Sequence, residues 1–230
     1  MPDYSLPPSV ILSSGRPGCG KTSFVFRYLV NRASEQKLNP ARAACIFIFD
    51  WKLEASRRLG IPAVTTLHGC ESALASRWVV FNPHPMFPGT ERIRTPEGEW
   101  GMNDERAALR WFSRWVFEVS TRGPGKKILY VDELKNFASK FYVPPEINRI
   151  ARMGRAENLE LVISTQYPRD YHTDLRSAVT EWICFNTTEP AELDAVRPYF
   201  AGVDAVARLR KGEFISYYRE NGETLAGKIF

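Results

Sequence analysis

Six short apolar runs recur along the chain, at 9–13, 43–50, 78–81, 128–133, 159–166 and 182–185. Their hydrophobicity is continuous rather than alternating, which predicts strands buried on both faces, as in parallel α/β sheets. Between them the pattern turns helical. A helix opens at 23–30 and others are predicted at 71–76, 105–120, 147–157 and 174–179. In the 105–120 helix, Leu109, Phe112, Trp115 and Val116 fall at helical spacing and read as core. The stretch 82–103 holds Pro83, Pro85, Pro88, Gly89, Pro96, Gly98 and Gly101, a density of breakers that predicts a long loop. The tail, 212–218 and 224–230 around Asn221-Gly222, has the turn chemistry of a β-hairpin. Strands alternating with helices predict a wound α/β core. We expect a single domain over 1–230, with its core at about 9–190 and a hairpin extension at about 205–230.

Composition narrows the class without naming a chemistry. Apolar residues make up 44% and charged residues 25%, ordinary globular usage that argues against wholesale disorder. The net charge of +5 permits a polyanionic partner but does not demand one. Cys19, Cys45, Cys70 and Cys184 lack paired spacing, so neither a zinc site nor a disulfide framework is indicated, and a reduced setting fits. His68, His84 and His172 are isolated and show no ligand spacing. No apolar run approaches the roughly 18 residues of a membrane span.

The first run leads into Gly15-Arg16-Pro17-Gly18-Cys19-Gly20-Lys21-Thr22-Ser23, a phosphate-binding loop pattern set between a strand and a helix. Glycines let successive backbone NH groups turn inward around phosphates, and the helix N-terminus adds partial positive charge. Lys21 would reach the β and γ phosphates of ATP, and Thr22 would complete the shell of a magnesium ion. Cys19 reads as a small filler within the loop.

The fourth strand runs into Asp132-Glu133. An aspartate there is placed to hold Mg2+ with Thr22, and an adjacent glutamate is the natural base for an attacking water. Water activation separates a hydrolase from a kinase. Gln166 ends the fifth strand, where an amide that donates and accepts can sense the γ phosphate or the water.

These segments, together with Ile46-Phe47-Ile48-Phe49-Asp50-Trp51-Lys52 and Arg152-Met153-Gly154-Arg155 before a strand ending in Thr165-Gln166, resemble the FtsK and HerA superfamily of DNA-pumping ATPases. The compact chain looks most like the genome-packaging ATPases of tailless, internal-membrane viruses such as tectiviruses. The resemblance implies a RecA-like P-loop core of the type with an additional strand and a catalytic glutamate. It implies ATP hydrolysis coupled to translocation of double-stranded DNA through a homo-hexameric ring, docked on capsid or portal-vertex proteins, in the virion and the host cytoplasm. It also implies an arginine acting across the ring. The usual arginine region holds Trp182 and Ile183 here, and Arg155 is favoured, with Arg152 and Arg176 as alternatives, because the resemblance puts the helix-to-strand corner before Gln166 near a ring interface. Arg92, Arg94, Lys135, Lys140, Arg208, Arg210 and Lys211 are the basic groups to test against DNA. Three other readings stand beside this one: a filamentous-phage-type morphogenesis ATPase, a small-molecule or nucleotide kinase, and a non-hydrolysing assembly protein.

Overall fold

The computed structural model describes residues 10–35, 44–87, 92–94, 100–123 and 125–230. Ten strands and eight α-helices follow in the order β1 (Val10–Ser14), α1 (Lys21–Ser34), β2 (Cys45–Phe49), α2 (Glu54–Leu59), α3 (Leu67–Ala73), β3 (Trp78–Phe81), β4 (Arg92–Arg94), β5 (Trp100–Met102), α4 (Asn103–Arg122), β6 (Lys127–Asp132), α5 (Pro145–Met153), β7 (Leu159–Thr165), α6 (Thr173–Ala178), β8 (Glu181–Phe185), α7 (Pro190–Val196), α8 (Val203–Val206), β9 (Glu213–Tyr218) and β10 (Glu223–Lys228).

Eight strands form one sheet in the order β10-β9-β8-β1-β7-β6-β2-β3. All neighbours among β8, β1, β7, β6, β2 and β3 are parallel, and only β9 and β10 run antiparallel. The continuous apolar runs have a direct cause in this sheet. Successive side chains point to opposite faces, so Leu129 and Val131 of β6 join one core cluster while Ile128 and Tyr130 join the other. The larger cluster lies against α3 to α8, and α1 and α2 cover the opposite face. The expected core face of α4 holds: Leu109, Phe112 and Val116 are fully buried, and Trp115 nearly so.

Several elements differ from the sequence expectation. The stretch read as a loop carries β4 and β5, a two-stranded antiparallel sheet pairing Arg92 with Met102. Breakers end elements but do not forbid three-residue strands between them. The 147–157 helix is shorter, with α5 giving way to a 3-10 turn at Gly154–Glu157. The helix α2 was not foreseen; only Ala55 of its six residues is buried, so it shows no apolar face. It forms because the Asp50 carboxylate accepts from Ala55 N at 2.9 Å and Ser56 N at 2.8 Å, satisfying orphan amides at the helix start. The hairpin is part of the main sheet, since β9 pairs with β8 along its length. Gly222 closes its turn with φ 71°, a left-handed conformation glycine adopts without steric cost.

Candidate nucleotide site

The phosphate loop joins β1 to α1, and its glycines occupy backbone regions other residues avoid: φ is 143° at Gly15, 70° at Gly18 and 119° at Gly20. At two of them a Cβ would also crowd a neighbour. One at Gly15 would meet Phe185 Cβ at 2.7 Å, and one at Gly20 would meet the Ile229 side chain at 2.9 Å. The loop therefore rests on β8 and on the segment after β10. Its backbone is tied there by Arg16 N to Asn186 O at 3.0 Å and by Gly212 N to Cys19 O at 3.0 Å. Cys19 is buried in the core cluster with Phe185 and Ile229, the filler position expected, and burial pushes its thiol pKa up. Arg16, Pro17 and Gly18 form the exposed tip, and Thr22 and Ser23 are half-buried. Lys21 curls back, donating from Nζ to Gly15 O at 2.8 Å and Arg16 O at 3.0 Å.

Strand order brings the remaining groups to the same sheet edge. The strand β7 lies between β1 and β6, with Ser14 level with Thr165 and Asp132 level with Ser164. The loops leaving the three strands thus emerge side by side. Glu133 takes a left-handed conformation, φ 49° and ψ 51°, costly for a side chain with a Cβ and typical of strained functional positions. This turn separates the two acids. Asp132 accepts from Lys52 Nζ at 3.1 Å, from Tyr130 OH at 3.3 Å and from the Ser164 hydroxyl. Glu133 is 7% exposed, and its Oε1 accepts from Gln166 Nε2 at 2.9 Å. The other oxygen, Oε2, is buried with no hydrogen-bond partner among the described residues.

One recess is lined by Thr22, Asp50, Trp51, Lys52 and Asp132, and another by Gly15, Gln166 and Glu192. The hydroxyl of Thr22 and the carboxylate of Asp132 are hard oxygen donors facing a common space, a donor set that suits Mg2+. Lys52 and its partnership with Asp132 escaped sequence reading, although Lys52 lay within a motif already noted. Its neighbour Trp51 donates Nε1 to Asp132 O at 3.3 Å, and Lys52 Nζ lies 4.9 Å from the indole centroid.

The candidate arginines stand apart from this cluster. Arg155, in the turn after α5, makes a two-pronged pair with Glu220 on the β9–β10 turn, at 2.5 and 3.1 Å. Arg152 pairs with Asp174 at 2.9 Å, and Arg176 donates to Ala195 O at 3.2 Å. Of the basic groups singled out for DNA, Lys135 lies over the Tyr167 ring at 3.7 Å, tying the loop after Glu133 to the one after Gln166. Lys140, Arg208, Arg210 and Lys211 are all exposed. Arg92 and Arg94 fall in β4, and their side chains lie outside the described residues.

A glycine-rich loop, an acid pair and a strand-end glutamine, borne on three adjacent parallel strands, define a RecA-like P-loop NTPase fold. No protein-family model and no curated protein matches the chain. Among solved structures, the particular likeness is to B204, the genome packaging NTPase of Sulfolobus turreted icosahedral virus 2 in complex with AMP: TM-score 0.70, 22% identity, 97% of this chain and 98% of that one. The DNA-packaging ATPase B204 of Sulfolobus turreted icosahedral virus aligns with TM-score 0.68 at 20% identity, over 97% and 98%. VirB4 of Thermoanaerobacter pseudethanolicus aligns with TM-score 0.67 at 11% identity, over 97% and 90%. These likenesses establish a shared fold across nearly the whole length described. No helix among the described residues is long and apolar enough to cross a membrane.

Proposed function

We propose that the chain is an ATPase that translocates double-stranded DNA, packaging a viral genome into a preformed capsid. It would act as a homo-hexameric ring docked on capsid or portal-vertex proteins, in the virion and the host cytoplasm. The observation that carries the hydrolytic part is the setting of Glu133: one oxygen is held by Gln166, and the other is buried with no hydrogen-bond partner among the described residues. In a kinase an acceptor hydroxyl would take the place of the attacking water. The packaging part draws on the near end-to-end likeness to the B204 ATPases.

In this reading loop amides between Gly18 and Ser23 grip the phosphates of ATP, within the binding segment Gly15 to Ser23, and Lys21 exchanges its loop carbonyls for the β and γ phosphates. Thr22 and Asp132 would hold Mg2+, which supplies charge neutralisation on the phosphates when bound. Glu133 Oε2 takes a proton from water as its oxygen attacks the γ phosphorus, and the bond to the β-phosphate oxygen breaks to release ADP and phosphate. Gln166 fixes the glutamate and senses whether the γ phosphate is present. Arg155, released from Glu220, would reach the neighbouring subunit's nucleotide, a contribution on the order of 10³ to 10⁵ in turnover for such arginines.

The test is phosphate release by the assembled protein with and without duplex DNA at two salt concentrations. Glu133→Gln should keep nucleotide binding and lose release, and Arg155→Ala should lose release only in the ring. Full turnover in Glu133→Gln would overturn the catalytic assignment. Wild-type turnover indifferent to DNA would overturn translocation.

A further inference from the structure

The structure gathers a basic surface that the sequence reading did not assemble. Arg106, Arg110 and Arg114 recur every four residues along α4, so each lies about 6 Å beyond the last on one helix face. Aromatic or acidic neighbours hold each one. Arg106 lies over the Tyr142 ring at 5.6 Å. Arg110 and Arg114 converge on Glu146 at the start of α5, at 2.9 and 3.0 Å. Burial pulls the Glu146 carboxyl pKa upward, but the hydrogen bonds from both arginines outweigh it and leave it lowered. Arg149, on α5, stacks over Phe117 at 4.2 Å. Between the helices runs a groove lined by Ser113, Arg114, Phe117, Glu118, Glu146 and Arg149. The Ser113 hydroxyl is buried there without a partner among the described residues.

At the Tyr142 end the chain folds into a tight turn, with Ser139 N to Tyr142 O at 2.7 Å and Tyr142 N to Ser139 O at 3.3 Å. Lys140 and Phe141 form its tip. Phe141 is 81% exposed, the most exposed large apolar residue described. Two residues before the turn, Phe137 is fully buried, so the tip stands on the core close behind Glu133.

We propose that this face is a track for a nucleic-acid backbone, with the arginine row on successive phosphates and Phe141 against sugar or base at its end. A row of guanidinium groups at regular spacing, pre-oriented by their neighbours, matches a repeating phosphate charge. The two acids on the track, Glu146 and Glu118, are outnumbered by Arg106, Arg110, Arg114, Arg149 and Lys140. An exposed aromatic beside a lysine suits a stacking contact that reads no sequence. The track rests on DNA being the partner, as proposed above, and adds where the chain would touch it.

The experiment measures binding of a labelled mixed-sequence duplex by the full chain across a salt series. The variants are Arg114→Gln with Arg149→Gln, which leaves Arg110 on Glu146, and Phe141→Ala alone. The double variant should bind at least tenfold more weakly at low salt, with a salt slope smaller by about two, since each phosphate contact contributes about 0.9. Phe141→Ala should lose affinity with the slope kept. Melting temperature and affinity for a fluorescent ATP analogue should stay at wild-type values. Wild-type duplex affinity and slope in the double variant would overturn the track while leaving translocation standing. No duplex binding by the wild type would sink both. Competition by polyglutamate as strong as by duplex would mark an acidic protein as the partner and overturn the track.

Discussion

Lys52 Nζ lies 3.1 Å from Asp132 Oδ2, so the acid proposed to hold the metal already carries an internal cation. The two residues are 80 positions apart and meet because β2 and β6 are neighbours in the sheet. A divalent ion entering between Thr22 and Asp132 must compete with that ammonium. Lys52 is about a third exposed, so solvent screens the pair and its strength is about 1 kcal/mol or less. Lys52→Gln should therefore tighten Mn2+ binding to the ADP-loaded protein by a few-fold, read by electron paramagnetic resonance. Weaker binding would show that Lys52 orients Asp132 instead of competing for it.

The single hydrogen bond from Gln166 to Glu133 makes a second prediction. Gln166→Ala leaves both carboxylate oxygens without the amide and lets the base wander from its line of attack. Turnover should fall about ten- to hundredfold, less than the roughly 10²- to 10⁴-fold that a whole general base contributes, with nucleotide affinity near wild type. A drop in affinity equal to the drop in turnover would place Gln166 in binding rather than in catalysis.

Far from the nucleotide, Glu160 of β7 is buried against α1, where it accepts from Tyr28 OH. Burial is the main cause that pushes its carboxyl up to about 7, with Glu181 adding to it, while the Tyr28 hydrogen bond, Arg32 and Lys126 pull it down. Its folded value lies above the ordinary one, so between about pH 4.5 and 7 the folded chain keeps a proton the unfolded chain has lost. Stability from this group is full at low pH and falls as pH rises through that window, by an amount on the order of 3 kcal/mol. Glu160→Gln keeps the acceptor for Tyr28 and removes the titration. Its advantage over wild type in denaturant melts should grow from pH 5 to pH 7.5 and then level.

Gly154 has an ordinary φ of −56°, yet a Cβ there would stand 2.5 Å from Leu159 O. The glycine of the Arg-x-Gly-Arg stretch is thus required by the close passage of α5 over the start of β7. Gly154→Ala should cost about 1–3 kcal/mol in denaturant unfolding, as overpacking does. It should also disturb Arg155 more than Arg152, because Arg155 follows the obstructed turn.

The strands were legible because burial on both faces leaves an unbroken apolar run, and the nearness of Glu133 to Gln166 because both follow the carboxyl ends of such runs. Sequence does not carry the order in which strands lie. That order alone sets Lys52 against Asp132 and places Glu220, beyond β9, against Arg155. The helix α2 was invisible because it buries one alanine, and β4 and β5 because they sit among prolines and glycines. The arginine row of α4 was not legible because the apolar face of the same helix carries the stronger periodic signal.

The phosphate loop leans on Ile229 and is bonded through Cys19 to Gly212, the two ends of the β9–β10 hairpin. A protein that grasps the hairpin near Glu220 would therefore hold both a lever on the loop that grips ATP and the clasp on Arg155. In the motor proposed above, tension on that lever would be felt at the γ phosphate without any contact near it, and a docked capsid would gain a mechanical throttle.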